Sequence, residues 1–112
     1  MSRRDDSVRL RHMLDAARKA VSLAAGKSTA DIKADEVTQL ALARLLEILG
    51  EAAGRVSASY KVSHPELPWV AMGGLRNRLA HAYFDVDLDV LLDIVATDLP
   101  AVIVQLEPLV SE

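Results

Sequence analysis

A chain of 112 residues, 51% hydrophobic and 26% charged, has the composition of a single globular domain spanning 1–112, not of a disordered or collagenous segment. No apolar run approaches the ~18 residues a membrane span needs. Met1-Ser2-Arg3-Arg4-Asp5-Asp6 leads into an amphipathic pattern instead of a signal peptide's apolar stretch, so a cytoplasmic location without membrane contact is expected. The absence of cysteine excludes disulfide scaffolds, thiol nucleophiles, iron–sulfur clusters and cysteine-based zinc sites.

Charge is unevenly distributed. Residues 1–27 hold seven basic and three acidic side chains, a balance of +4, while residues 85–112 hold seven acidic side chains and no lysine or arginine, a balance of −7. These segments read as solvated helix faces, with the basic one able to meet phosphates or an acidic partner and the acidic one able to cover it. A net charge of −3 argues against nonspecific coating of nucleic acid and permits a local phosphate pocket.

Four long helices are predicted, joined by short loops. The first starts after an Asp5-Asp6-Ser7 cap and runs to about Ala25, with Val8, Leu10, Leu14, Ala17, Val21 and Ala24 as its apolar stripe and Gly26 closing it. The second spans about Asp35 to Ala58, with Val37, Leu40, Ala41, Leu45, Ile48, Leu49, Ala52 and Val56 as its stripe. Its acidic start suits the positive end of the helix dipole. Ser63-His64-Pro65-Glu66-Leu67-Pro68 breaks it, and Pro68 suits the first turn of a third helix over about Trp69 to Ala82. The last begins near Asp87 or Asp89. Pro100 must kink or divide it, and Pro108 limits the terminal piece. Val102-Ile103-Val104 alone looks strand-like, and one such run makes no sheet. The expected fold is all-α, an antiparallel bundle of four to five helices with Trp69 as its one large core anchor and a homodimeric interface for leftover apolar surface.

Several motif resemblances fail on chemistry. Gly26-Lys27-Ser28-Thr29 has the tail of a phosphate-binding loop but lacks its earlier glycine, position 21 being Val21, and follows a helix, not a strand. His12, His64 and His81 are too scattered for a metal site, and no serine sits in a Gly-x-Ser-x-Gly elbow. His12 is expected partly exposed near Asp15, and His64 as a plain loop residue. Gly50, inside a long helix, marks a close helix contact, and Glu51 beside it is placed to pair with Arg76 or Arg78, or to remain in solvent.

Leu75-Arg76-Asn77-Arg78-Leu79-Ala80-His81-Ala82-Tyr83-Phe84 concentrates polar chemistry in an otherwise apolar region. At ~100° per residue, Asn77 and His81 lie one turn apart on nearly the same face, and Arg76 and Tyr83 two turns apart on a neighbouring one. Arg76 and His81 differ by about 140° around the axis, a gap a long arginine side chain can close. A fixed cation, an amide, an imidazole and a phenol around one helix edge suit RNA phosphodiester cleavage without metal: histidine for proton transfer, arginine for charge developing on phosphorus, Asn77 to fix the imidazole tautomer or touch the phosphate. A helix-end histidine with surface arginines and a half-buried tyrosine fits the same residues.

The pattern Arg76-Asn77-x-x-x-His81-x-Tyr83 resembles the Arg-x4-His-x-Tyr motif of HepT-like proteins in the HEPN superfamily. Leu46-Glu47-Ile48-Leu49-Gly50-Glu51-Ala52-Ala53 resembles that family's second-helix signature. Pro65-Glu66-Leu67-Pro68-Trp69 and Tyr83-Phe84-Asp85-Val86-Asp87 resemble the flanks of its motif helix. The likeness covers essentially the whole chain. It implies a homodimeric helical bundle acting as a metal-independent ribonuclease toxin of a type VII toxin–antitoxin pair. Such a toxin is silenced when an MntA-like minimal nucleotidyltransferase antitoxin transfers AMP from ATP to the motif tyrosine. By position, Arg76 and His81 would be catalytic, Asn77 and Glu51 supporting, and Tyr83 the modification site, with RNA as substrate and neither metal nor cofactor required. The alternative within the same resemblance is a non-catalytic scaffold subunit of a nucleotidyltransferase complex.

Overall fold

The computed structural model describes residues 3–75, 77–78 and 88–110. All regular structure among them is helical: α1 (Arg3–Ala24), α2 (Thr29–Lys33), α3 (Glu36–Arg55), α4 (Ala58–Ser63), α5 (Trp69–Gly73), α6 (Leu88–Asp93), a π-helical turn (Ile94–Asp98) and α7 (Leu99–Val110). Val102-Ile103-Val104 lies inside α7, where burial of Val102 and exposure of Val104 follow helical spacing.

α1 is the central element, packed on α3 and α7. It runs antiparallel to α3, since Asp6 near its start bonds Ser57 just beyond the end of α3. It also runs antiparallel to α7: Pro100 shares a surface groove with Ala24, and Glu107 pairs with Arg18. Between them lies a core of Leu10, Met13, Leu14 and Ala17 from α1, Leu42, Leu46 and Leu49 from α3, and Leu99, Val102 and Leu106 from α7. Ala16, Ala17 and Ala20 of α1 and Gly50, Ala52 and Ala53 of α3 are also buried.

The expected stripes are corrected at their edges. Val8 is exposed, and Met13, Ala16 and Ala20 join the buried face of α1. On α3 the buried line is Leu42, Leu46, Leu49 and Ala53, while Val37 is 76% and Leu40 45% exposed. Leucine, valine and alanine surround this helix on more than one side, so periodicity alone does not select the face.

Loop chemistry sets the helix ends. Gly26 takes φ 75°, a left-handed conformation that ends α1, and the Lys27 ammonium donates to the Leu23 carbonyl at 2.6 Å. Ser28 then opens α2, a short helix where the sequence predicts only a loop: its hydroxyl accepts from the Asp31 N–H at 3.0 Å and its own N–H donates to the Asp31 carboxylate at 2.9 Å. Asp35 caps α3, accepting from the Thr38 hydroxyl at 2.7 Å and the Thr38 N–H at 3.3 Å.

The second expected helix is divided. Val56 turns extended, and Ser57 opens α4 as its N-cap. The cause lies 51 residues away. Asp6 belongs to the first turn of α1, not to a cap preceding it, and its buried carboxylate accepts the Ser57 N–H at 2.9 Å and the Ser57 hydroxyl at 2.6 Å. At the other end of the chain, the Leu99 N–H bonds the Ile94 carbonyl, a five-residue step that widens the helix immediately before Pro100. The division expected at Pro100 is thus a register shift absorbed within a continuous helical run. Pro108 does not end the terminal helix, which continues to Val110.

Candidate functional site

Of the motif residues, Asn77 and Arg78 are described: both are helical and exposed, and the Arg78 N–H donates to the Gly74 carbonyl at 3.2 Å. Arg76, His81 and Tyr83 lie outside the described residues, so their mutual geometry is not a structural finding. Arg78 stands at the edge of a cavity of about 360 Å³ with an apolar floor that includes Leu49, Met72 and Leu75, and with Glu66 and Asp98 among its polar lining. The π-helical turn forms part of the wall through Ile94, Thr97 and Asp98.

The motif helix is approached through a small aromatic assembly. The Trp69 indole N–H donates to the His64 carbonyl at 2.8 Å, fixing the loop between α4 and α5. Tyr60 stacks on His64 with ring centroids 4.2 Å apart and meets Trp69 edge-on at 6.3 Å. His64 is therefore part of a packed corner, not a plain loop residue. Trp69 is half-buried at the core's margin; the largest fully buried side chains are Met13 and the leucines at 42, 46, 49, 99 and 106. A tryptophan that must satisfy its indole N–H sits where a carbonyl is in reach, which composition alone does not locate.

Glu51 is found on α3 with its carboxylate 3.1 Å from the Arg55 guanidinium, one turn along the same helix. That contact replaces the expected pairing with Arg78, which lines the separate cavity described above; Arg76 lies outside the described residues. Glu51 and Arg55 instead share a cleft of about 260 Å³ with Arg9 and His12 of α1, floored by Ile48 and Ala52. Sequence reasoning does not find this basic cleft. Its signal is the three-residue step from Arg9 to His12 and the four-residue step from Glu51 to Arg55, visible as one group only once α1 is laid antiparallel on α3.

Among the described residues, two carboxylates have displaced acidities, both at helix starts. The Ser28 N–H and hydroxyl hold Asp31 below the ordinary aspartate value of 3.8. The Thr38 hydroxyl and N–H do the same for Asp35. These are caps and do not belong to a reaction centre. No cluster of potential metal ligands occurs among the described residues.

A family model described as Ribonuclease HepT-like matches residues 13–109, a stretch that includes Arg76, Asn77, His81 and Tyr83. "Probable ribonuclease HepT" of Thermococcus cleftensis is 45% identical over 71 residues, covering 63% of this chain and 64% of that protein, just under two thirds of its length. "Putative RNase MJ1380" of Methanocaldococcus jannaschii is 32% identical over 102 residues, covering 91% of this chain and 94% of its own. "Putative RNase TTE0752" of Caldanaerobacter subterraneus is 30% identical over 91 residues, covering 81% of each. No solved structure matches. With a family model spanning residues 13–109 and a relative 32% identical over 94% of its own length, the chain belongs to the HepT-like ribonuclease family.

Proposed function

We propose that this chain is a metal-independent endoribonuclease, the toxin of a type VII toxin–antitoxin pair. The observation that carries the reading is the Arg76-Asn77-x-x-x-His81-x-Tyr83 pattern lying within the segment matched to the HepT-like family. In the proposed reaction His81 takes the proton of a ribose 2′-hydroxyl as its oxygen attacks the adjacent phosphorus. The bond to the 5′-oxygen breaks, that oxygen takes up a proton, and a 2′,3′-cyclic phosphate remains. Arg76 offers a planar, permanently charged donor fork to the phosphoryl oxygens as charge builds on them. Asn77, exposed on the motif helix, orients the imidazole or the phosphate. Glu51 holds a supporting place on the neighbouring α3.

The chain works in this reading as a homodimer, supported by apolar surface outside the core: Val70 is 92% and Val62 79% exposed on the two short helices that precede the motif. Silencing comes from an MntA-like nucleotidyltransferase that moves AMP from ATP to the Tyr83 phenol, releasing pyrophosphate. The adduct places a negative phosphodiester and a nucleoside beside the cation meant for substrate phosphate, blocking and neutralising it.

The test is purified, unmodified protein incubated with RNA in EDTA. Cleavage with 2′,3′-cyclic phosphate ends is expected, and His81→Ala or Arg76→Ala should abolish both cleavage and growth inhibition. Full activity in those variants refutes the site. A wild-type protein that is harmless and silent toward RNA when expressed alone refutes the nuclease and leaves the scaffold reading.

A further inference from the structure

We propose that the cleft between α1 and α3 is a phosphate subsite that holds the backbone of a bound RNA strand; the proposal rests on the ribonuclease reading above. The carrying observation is Arg9. Its Nε–H is shut off from solvent and meets no acceptor among the described residues. Burial of that nitrogen fixes the stem of the guanidinium in the wall of an open cleft, which Arg9 lines together with Arg55.

The neighbouring groups specify the kind of oxygen. Arg55 reaches the same cleft from the opposite helix, and Glu51, the one carboxylate among its described lining residues, is engaged by Arg55 at 3.1 Å. Against one carboxylate, two guanidinium groups leave the described lining with one net positive charge. Two guanidinium groups on separate rigid helices favour an anion with several outward oxygens, which a phosphodiester provides and a single carboxylate provides less well. Size agrees: about 260 Å³ lies below the ~300–1,000 Å³ of sites for drug-sized ligands and suits a phosphate with part of its ribose. Ile48 and Ala52 at the floor offer no competing acceptor side chain and give the sugar an apolar seat.

The experiment measures fluorescence anisotropy with a short, labelled 2′-O-methyl RNA, which lacks the 2′-hydroxyl nucleophile and so reports binding without cleavage. Arg9→Gln and Arg55→Gln should each weaken binding about five- to tenfold, the loss expected for a charged hydrogen bond to phosphate. Each should also flatten the dependence of log affinity on log salt by about 0.7 for every phosphate that is no longer neutralised. Arg55 is 58% exposed, so its substitution tests the cleft even if Arg9→Gln disturbs folding. Unchanged affinity and slope in Arg55→Gln and in folded Arg9→Gln overturn the proposal, as does absence of RNA binding by the wild type. AMP or an oligoglutamate peptide competing as well as RNA overturns it too, by assigning the cleft to free nucleotides or to carboxylates. The two readings fail separately. Arginine-dependent binding without cleavage of ordinary RNA removes the nuclease and keeps the cleft; cleavage with arginine-independent binding does the reverse.

Discussion

Replacing Asp6 by alanine should undo the corner between α3 and α4. Asp6 is 5% exposed, and its carboxylate accepts two hydrogen bonds from Ser57, one from the backbone N–H at 2.9 Å and one from the hydroxyl at 2.6 Å. A hydrogen bond to a charged group contributes about 1.5–3 kcal/mol, and two that share one carboxylate do not add fully, so a loss of about 2–4 kcal/mol is expected. For a domain of this size that corresponds to a fall in Tm of roughly 8–16 °C. Asp6→Asn, which keeps one acceptor, should lose about half as much. Ser57→Ala removes the hydroxyl, which also caps the Tyr60 N–H at 3.3 Å, and leaves the backbone donor in place. Thermal and urea unfolding of both single variants and the double variant then form a cycle. The double variant should be more stable than the summed single losses allow, by about 1 kcal/mol. An Asp6→Ala protein within about 0.5 kcal/mol of wild type, or strict additivity in the cycle, would refute the argument that this carboxylate divides the helix.

Further expectations concern the core, the caps and the proposed switch. Leu46→Ala, at a fully buried position, should cost about 3 kcal/mol, read as a lower urea midpoint with an unchanged m-value. Asp35 has its acidity strengthened by Thr38, so its folded value lies below 3.8 and its contribution is present above that pH and lost as pH falls through the folded value. The stability gap between wild type and Asp35→Ala should therefore be widest near neutrality and narrow on acidification below 3.8, as followed by circular dichroism. Tyr83→Phe, co-expressed with the nucleotidyltransferase, should show no adenylate adduct by intact mass and should remain toxic; an adduct that persists places the modification elsewhere.

Fold class is legible because its signals are local. Apolar spacing, Gly26 at a helix end and the turn residues around Pro65 each act over a few positions. What sequence reasoning misses depends on residues distant in the chain. Ser57 begins a new helix because Asp6 draws its N–H out of the ladder, and nothing within 57–63 announces that partner. Trp69 stands away from the core centre because its indole N–H needs the His64 carbonyl. The candidate site divides in the same way. Arg76-Asn77-x-x-x-His81-x-Tyr83 is written on one stretch of chain and can be recognised there. The cleft of Arg9, His12, Glu51 and Arg55 is assembled from two helices some 40 residues apart, and each half alone resembles ordinary surface charge.

The small, buried side chain of Ala52 works as a spacer on the face that α3 turns to the basic cleft. Ala52 is buried and also lines the cleft, so the bulk at this position helps set how far apart the Arg9 and Arg55 jaws stand. Any enlargement there would widen the grip. Natural drift at Ala52 is thereby coupled to the bite of the pocket it floors.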